Sequence, residues 1–307
     1  MFEIRHATVA LAGDHTIDVR LDAAGAPDRA ADAVTIAIPK LTYHFSARKL
    51  RNFGHWLLDG LPQVVAIDAL APAAVFLLPD PLKNAYRSTL NLLGIGDERI
   101  RPWNGQPVSC ARLLLMEDDG RGGGGRPLAA LLQTRRRLLE GPAASDRPAT
   151  GRIYVSRRDA KPHRRWIDNE PEVEALFASR GFSVVSMGEC SLPEQVRLFS
   201  TARVVAGASG AGLADIVFTP PGSHVITLVS DELMRWYAAE GQSRALWVSA
   251  SATDGGELAQ LGDSPRFYGH VAAALGQISH YFVGPDRVPT EALAAFLDDV
   301  LAGVDAA

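Results

Sequence analysis

Cysteine is scarce in this chain: Cys110 and Cys190 are the only two in 307 residues, eighty positions apart and without a Cys-x-x-Cys pair. That excludes a disulfide framework and a cysteine zinc site, and leaves both as small, buried apolar residues. Long apolar runs are also missing. The longest, such as AAVFLLP, fall far short of the roughly 20 residues a membrane helix needs, so no membrane span is expected. The N-terminus, MFEIRHATVALAGDHTIDV, lacks the basic start and unbroken apolar stretch of a signal peptide, which points to a cytoplasmic protein. There is no excess of positive charge either: a formal net charge of −4 argues against a general nucleic-acid binder, so any basic cluster is local. No internal repeat occurs, and no low-complexity tract beyond RGGGGR.

What is present is a globular composition, 47% apolar and 21% charged, in a chain long enough for two domains of roughly 150 residues each. The second half alternates strand and helix. RIYVSR reads as a strand, and NEPEVEALFASRG as a helix with Pro171 in its first turn and Gly181 as its C-terminal cap. FSVVS is a second strand, and SLPEQVRLFSTA is a helix opened by Ser191 and Glu194 at capping-box spacing. RVVAG, HVITLVS, ALWVSA and ISHYFVG continue the strands. Such alternation predicts βαβ units and a parallel sheet with helices on both faces.

In the first half VTIAIP, AVFLLP and RLLLMED read as strands, separated by helical stretches around 56–70 and 82–93. Residues 140–151, rich in Pro, Gly, Ala and Ser, read as a linker. The expectation is therefore an α/β protein of two domains facing one another across a cleft, with domain boundaries at 1–145 and 146–285. The segment 286–307 forms a final helix whose apolar face, Leu293, Phe296, Leu297, Val300, Leu301 and Val304, must bury against something.

Three segments carry candidate chemistry. In RNFGHWLLDGLPQ, His55 and Asp59 stand four apart and share one face of a helix, a spacing that suits either a structural His–Asp pair or a catalytic dyad. Pro62 cannot donate to Leu58, so a kink is expected there. In YVSRRDAKPHRR, directly after a strand, Arg157, Arg158, Lys161, Arg164 and Arg165 have only Asp159 as internal compensation. A solvated loop would account for them, but their place at a strand's carboxyl end favours an anion site, and guanidinium forks match a diphosphate.

In VVAGASGAGLAD, Ser209, Gly210, Ala211 and Gly212 lead from a strand into a helix whose free N–H groups can hold a phosphate, although such a turn is common in any α/β protein. GASGAG is not the GxGxxG fingerprint, and it follows a third strand, which makes a nicotinamide-dependent oxidoreductase a poor fit; GK[ST] is absent as well. Two weaker candidates are Glu117, Asp118 and Asp119 in a glycine loop, as a metal site or a surface loop, and Arg135 to Arg137 in LAALLQTRRRLL, as a peripheral membrane contact or an ordinary packing helix. No Asp-x-Asp occurs, against a metal-bridged nucleotide-sugar site.

In this order NFGHWLLDGLP, IYVSRRDA...RRWIDNEPEV and EQVRLFSTARVVAGASGAGLADIVFTPPGSHVITL resemble glycosyltransferase family 61, over about residues 43–230. The resemblance implies two Rossmann-like domains of GT-B type, an inverting mechanism with no metal or other cofactor, and a nucleotide-sugar donor, UDP-linked, held by the C-terminal domain. It places Asn52, His55, Trp56 and Asp59 on the acceptor side, with Asp59 as base and His55 as its helper. It gives Arg157, Arg158 and Arg165 to the donor phosphates, Arg158 foremost, with Ser209, Gly210, Ala211 and Gly212. It also suggests that the C-terminal helix packs back on the N-terminal domain.

One departure stands out: the family's loop reads H-G-A-G-L-[TS]-N, and this chain has Ser209 for the histidine and Asp215 for the asparagine. Ser209 supplies no positive charge, and an ionised Asp215 near a diphosphate would repel it. The implied function is transfer of a sugar to a glycan or glycoconjugate acceptor in polysaccharide synthesis of the capsule type. The alternative is a weakly active or inactive relative that binds a nucleotide or glycan as a scaffold subunit.

Overall fold

The structure, a computed structural model, describes residues 2–12, 16–21, 35–38, 52–104, 106–115, 128–140, 151–159, 167–239 and 267–306. The chain divides into two compact units, Met1–Gly141 and Pro142–Ala307. Residues 141–150 of the expected linker at 140–151, the strand ALWVSA, the acidic loop Glu117–Asp119, and Lys161, Arg164 and Arg165 lie outside the described residues.

The first unit is a mixed six-stranded sheet. Its elements are β1 (Phe2–Ala12), β2 (Thr16–Leu21), β3 (Thr35–Ile38), α1 (Phe53–His55), a π-helical turn (Trp56–Gly60), α2 (Leu61–Leu70), β4 (Val75–Pro79), α3 (Asn84–Leu92), β5 (Ile100–Trp103), β6 (Val108–Leu115) and α4 (Leu128–Leu139). The strand order is β2-β1-β6-β3-β4-β5. β6, β3, β4 and β5 run parallel, while β1 is antiparallel to both β2 and β6. β1, β2 and β5 are additions to the sequence reading; Pro102 inside IRPW hides a four-residue strand, and proline is tolerated at the sheet edge that β5 occupies.

Leu57, Leu58, Leu61, Val64, Val65, Ile67, Phe76, Leu77 and Leu78 form the buried interior around α2 and β4. α4 packs on α2. Arg137 and Arg99 both clamp Asp68, at 2.7 and 2.6 Å, so α4 is a packing helix of this unit.

The second unit is a five-stranded, all-parallel sheet. Its elements are β7 (Gly151–Ser156), α5 (Glu170–Ser179), β8 (Ser183–Ser186), α6 (Leu192–Ser200), β9 (Ala202–Ala208), a 3-10 helix (Ala211–Phe218), β10 (His224–Ser230), α7 (Asp231–Ala239), α8 (Phe267–Ala274), β11 (Ile278–Gly284) and α9 (Thr290–Ala306). The order is β11-β10-β9-β7-β8. From β7 the chain steps outward to β8, then returns past β7 to continue through β9, β10 and β11, so β7 and β9 flank a topological switch point.

Right-handed crossovers then put α5 on one face and α6 on the other, and the packing agrees: α5 contacts α9, while α6 and α8 contact the 3-10 helix. The capping box forms as its spacing predicts, with Ser191 and Glu194 reciprocally bonded at the start of α6. Gly181 closes α5 with a φ of +79°.

The six apolar residues of α9 are all buried, with Tyr154, Val173, Phe177, Val204, Ile226 and Phe282, in the second unit's own core. The right-handed exit from β11 lays α9 beside α5 over the sheet face that would otherwise expose those residues.

Candidate functional site

In the first unit the site begins at a helix start. The Asn52 carboxamide oxygen accepts the Gly54 N–H at 2.9 Å, capping α1. The π-helical turn that follows sits immediately before Pro62: the ring removes the donor that would meet the Leu58 carbonyl, and the Leu61 N–H reaches back five residues to Trp56. The kink read from Pro62 is thus a widened turn.

Within that turn His55 Nδ1 lies 2.9 Å from Asp59 Oδ2, with both side chains partly exposed. Gln63 donates its side-chain N–H to the Asp59 carbonyl at 3.0 Å, pinning the turn from its far end. Trp56 is not at the surface. It is 2% exposed, donates its indole N–H to Thr89 Oγ1 at 2.7 Å, and stacks on Tyr86 at 4.7 Å. It lies in the packing behind the His55–Asp59 pair, where a large ring fills the core between helix and helix.

In the second unit the two loops singled out from sequence leave β7 and β9, neighbouring strands at the switch point. They meet there. The Arg157 guanidinium fills the space that a Cβ on Gly210 would take, its Nη2 lying 3.3 Å from that position. Gly210 has an extended backbone, φ 168° and ψ 176°, so its lack of a side chain is required by the close approach of Arg157 and not by φ. At Gly212 a Cβ would lie 2.8 Å from Val155 Cγ1, so the second glycine lets the 3-10 helix sit directly on β7. The Tyr268 hydroxyl, from α8, donates to the Gly210 carbonyl and holds the loop from its other side.

Beneath the basic loop are two acids that the sequence reading passed over. Glu170 accepts from the Tyr154 hydroxyl at 3.0 Å and from the Arg157 N–H at 3.1 Å. Glu174 accepts from Ser156 Oγ at 2.6 Å and pairs with Arg158 Nε at 2.8 Å. Burial, above all, raises the Glu170 carboxyl, against the lowering pull of those two hydrogen bonds and of Arg157. The signal was present in the sequence: Tyr154 and Ser156 share a strand face, and Glu170 and Glu174 share the face of the helix that crosses it. Arg158, the sequence's first choice for phosphate, is thus tied back to Glu174 while remaining 60% exposed. Arg157 is the arginine at the glycine loop.

Ser209 is buried, and its N–H is committed to the Leu228 carbonyl at 2.9 Å, so the amides open to a ligand begin after it. Asp215 is 2% exposed within the 3-10 helix, and its Oδ1 has no hydrogen-bond partner. Burial pushes its pKa to about 8.

A parallel α/β unit with a glycine loop at its switch point belongs to the class of open sheets in which the crevice outside the strands' carboxyl ends is the place for a ligand. Within that class the chain has a definite place. The glycosyltransferase 61 family model matches residues 53–226, more than half of the chain, and the chain belongs to that family of glycosyltransferase enzymes. No curated protein matches it. The matched span takes in both the His55–Asp59 turn and the loops after β7 and β9. Among the described residues no helix is long and apolar enough to cross a membrane, and no cluster of three or more His, Cys, Asp or Glu side chains could hold a metal ion.

Proposed function

We propose that the chain is an inverting glycosyltransferase of GT-B type that needs no metal, and that it moves a sugar from a UDP-linked donor to a glycan or glycoconjugate acceptor in polysaccharide synthesis. The observation that carries the donor half is the guanidinium of Arg157 lying against Gly210, where two neighbouring strands end at a switch point. In this reading Arg157 is the principal diphosphate ligand, Arg158 and Arg165 add positive charge, and the amides of Gly210, Ala211 and Gly212 complete the cradle.

The Asp59 carboxylate takes the proton of the acceptor hydroxyl while that oxygen bonds to the anomeric carbon. The bond from that carbon to the diphosphate oxygen breaks, and its electron pair leaves with the nucleoside diphosphate, which the arginines stabilise. His55, hydrogen-bonded to Asp59, fixes the carboxylate's orientation.

One observation favours the reversed assignment: Nδ1 is the nitrogen that meets the carboxylate, the arrangement in which an acid orients an imidazole and Nε2 receives the proton. A pH–rate profile separates the two. An acid limb in the ordinary carboxylate range assigns the proton transfer to a carboxylate base, and one in the ordinary imidazole range to an imidazole base.

The experiment that tests the reading as a whole is UDP-sugar turnover by wild type, Asp59→Ala and Arg157→Ala, with UDP-induced thermal stabilisation measured in parallel. Asp59→Ala abolishing transfer while keeping nucleotide stabilisation, and Arg157→Ala losing both, is the expected pattern. Undiminished transfer by Asp59→Ala removes the base assignment. Absence of turnover with nucleotide binding intact in wild type selects the scaffold role.

A further inference from the structure

Asp215 is a carboxyl group without an evident means of carrying charge. It stands in the 3-10 helix that leaves the glycine loop, three residues beyond Gly212, and is 2% exposed. Its Oδ1 has no partner. On α6, which packs against this helix, the buried Gln195 Oε1 is likewise without a partner, although the same amide donates to the Met187 and Cys190 carbonyls at 3.1 and 3.0 Å. An ionised carboxylate in such a place is strongly disfavoured, because no partner replaces the water that Oδ1 gave up.

Among the described residues no cation offsets it. Of the described titratable and charged groups on the elements packed against the 3-10 helix, α8 presents the Tyr268 hydroxyl, engaged at Gly210, and β9 carries Arg203, engaged at the Val304 carbonyl. α6 carries Glu194 and Arg197, with Glu194 closed into the capping box. The Cys190 thiol is raised first by burial and then by Glu194, Glu189 and Asp215. Burial is the one cause acting on Asp215 itself.

We propose that Asp215 is a positioning residue of the donor loop that works only as the neutral acid: protonated, it supports Gly210–Gly212 as an uncharged side chain would and tolerates a diphosphate above it; deprotonated, it expels that anion. This rests on the donor reading above and adds to it a pH gate that belongs to this chain's own Asp215. It also removes the conflict that the sequence raised, since a neutral carboxylic acid matches an amide in shape and does not repel phosphate.

The test compares wild type with Asp215→Asn between pH 7 and 9.5, a window in which the phosphates of UDP are already ionised. Two quantities are read: the Kd for UDP by calorimetry, and the melting temperature of each protein without ligand. The expected wild-type Kd is flat to about pH 8 and then rises about tenfold per pH unit, because only the protonated fraction binds. Asp215→Asn is expected to bind UDP with a flat profile, and its melting temperature, followed from pH 5 upward, to gain on wild type as pH rises to about 8 and to run parallel to it beyond.

A flat wild-type Kd across the window, or a break that persists in Asp215→Asn, would overturn the gate. Melting profiles already parallel below about pH 8 in the absence of ligand would overturn the buried proton even if UDP binds. Failure of both proteins to bind any nucleoside diphosphate at pH 7 would overturn the donor reading and the gate with it, while diverging melting profiles would show the proton still held. The wild-type Kd profile decides without the variant should Asp215→Asn fold poorly.

Discussion

The division of labour between Arg157 and Arg158 is decided at the level of single atoms. Both stand in one basic run after β7, but Arg158 is held by Glu174 and Arg157 packs on Gly210. A methyl group on residue 210 would occupy the guanidinium's place, and because the obstructing group is the far end of a flexible side chain, the arginine moves and the backbone does not. Gly210→Ala is therefore expected to leave the melting temperature within a few degrees of wild type and to weaken UDP binding about tenfold, or about 1.4 kcal/mol, as measured by calorimetry. Unchanged affinity would separate Arg157 from the phosphates. The sequence marked the positions of both arginines and both glycines, because charge density and turn chemistry are local properties. It did not reveal which arginine is bound to what. Glu170 and Glu174 look like a solvated helix face until the strand beneath them supplies a tyrosine and a serine.

At the scale of elements, strand and helix signals survive where the pattern is strong. β7 to β11 and the helices between them follow the sequence reading closely, as parallel strands buried on both faces are dense in Val, Ile and Ala and bounded by capped helices. β1 and β2 were not legible in the sequence because charged and polar residues interrupt their apolar alternation. The pairing of β10 with β11 also creates a feature no local pattern announces: His224 and His280, 56 positions apart, stack with ring planes 9° apart and share a hydrogen bond of 2.9 Å.

That bond needs one ring nitrogen as acceptor, so it exists only while at least one imidazole is neutral. Burial, followed by the neighbouring His224, lowers His280 to about 4. Between that value and the unfolded imidazole's ordinary value near 6.5 the unfolded chain binds more protons than the folded one. The stability the pair contributes is fully present above about pH 6.5 and is lost as pH falls toward 4, by up to about 3 kcal/mol. Denaturant melts of wild type and His280→Phe at pH 7 and pH 4.5 should show the wild type losing markedly more stability on acidification; equal losses would remove the pair as the cause.

For the whole molecule, the informative fact is where the last helix goes. Its heptad-like face shows in the sequence that α9 must bury six apolar residues, but a periodic pattern says nothing of the partner. The helix completes the second unit: Leu293 and Leu297 are fully buried among residues drawn from 154 to 304. The second unit thus has a core, both helix layers and the loops around Gly210 within residues 142–307. Expressed alone, that segment should unfold in one cooperative transition and be stabilised by UDP, and Arg157→Ala within it should lose the stabilisation. Leu297→Ala should cost about 2–5 kcal/mol of its stability, since the surrounding side chains collapse only partly onto the gap. A fragment that folds and ignores UDP would mean the donor is not held by this unit alone. A fragment that does not fold would mean its core, complete as it is in residues, depends on the first unit for stability.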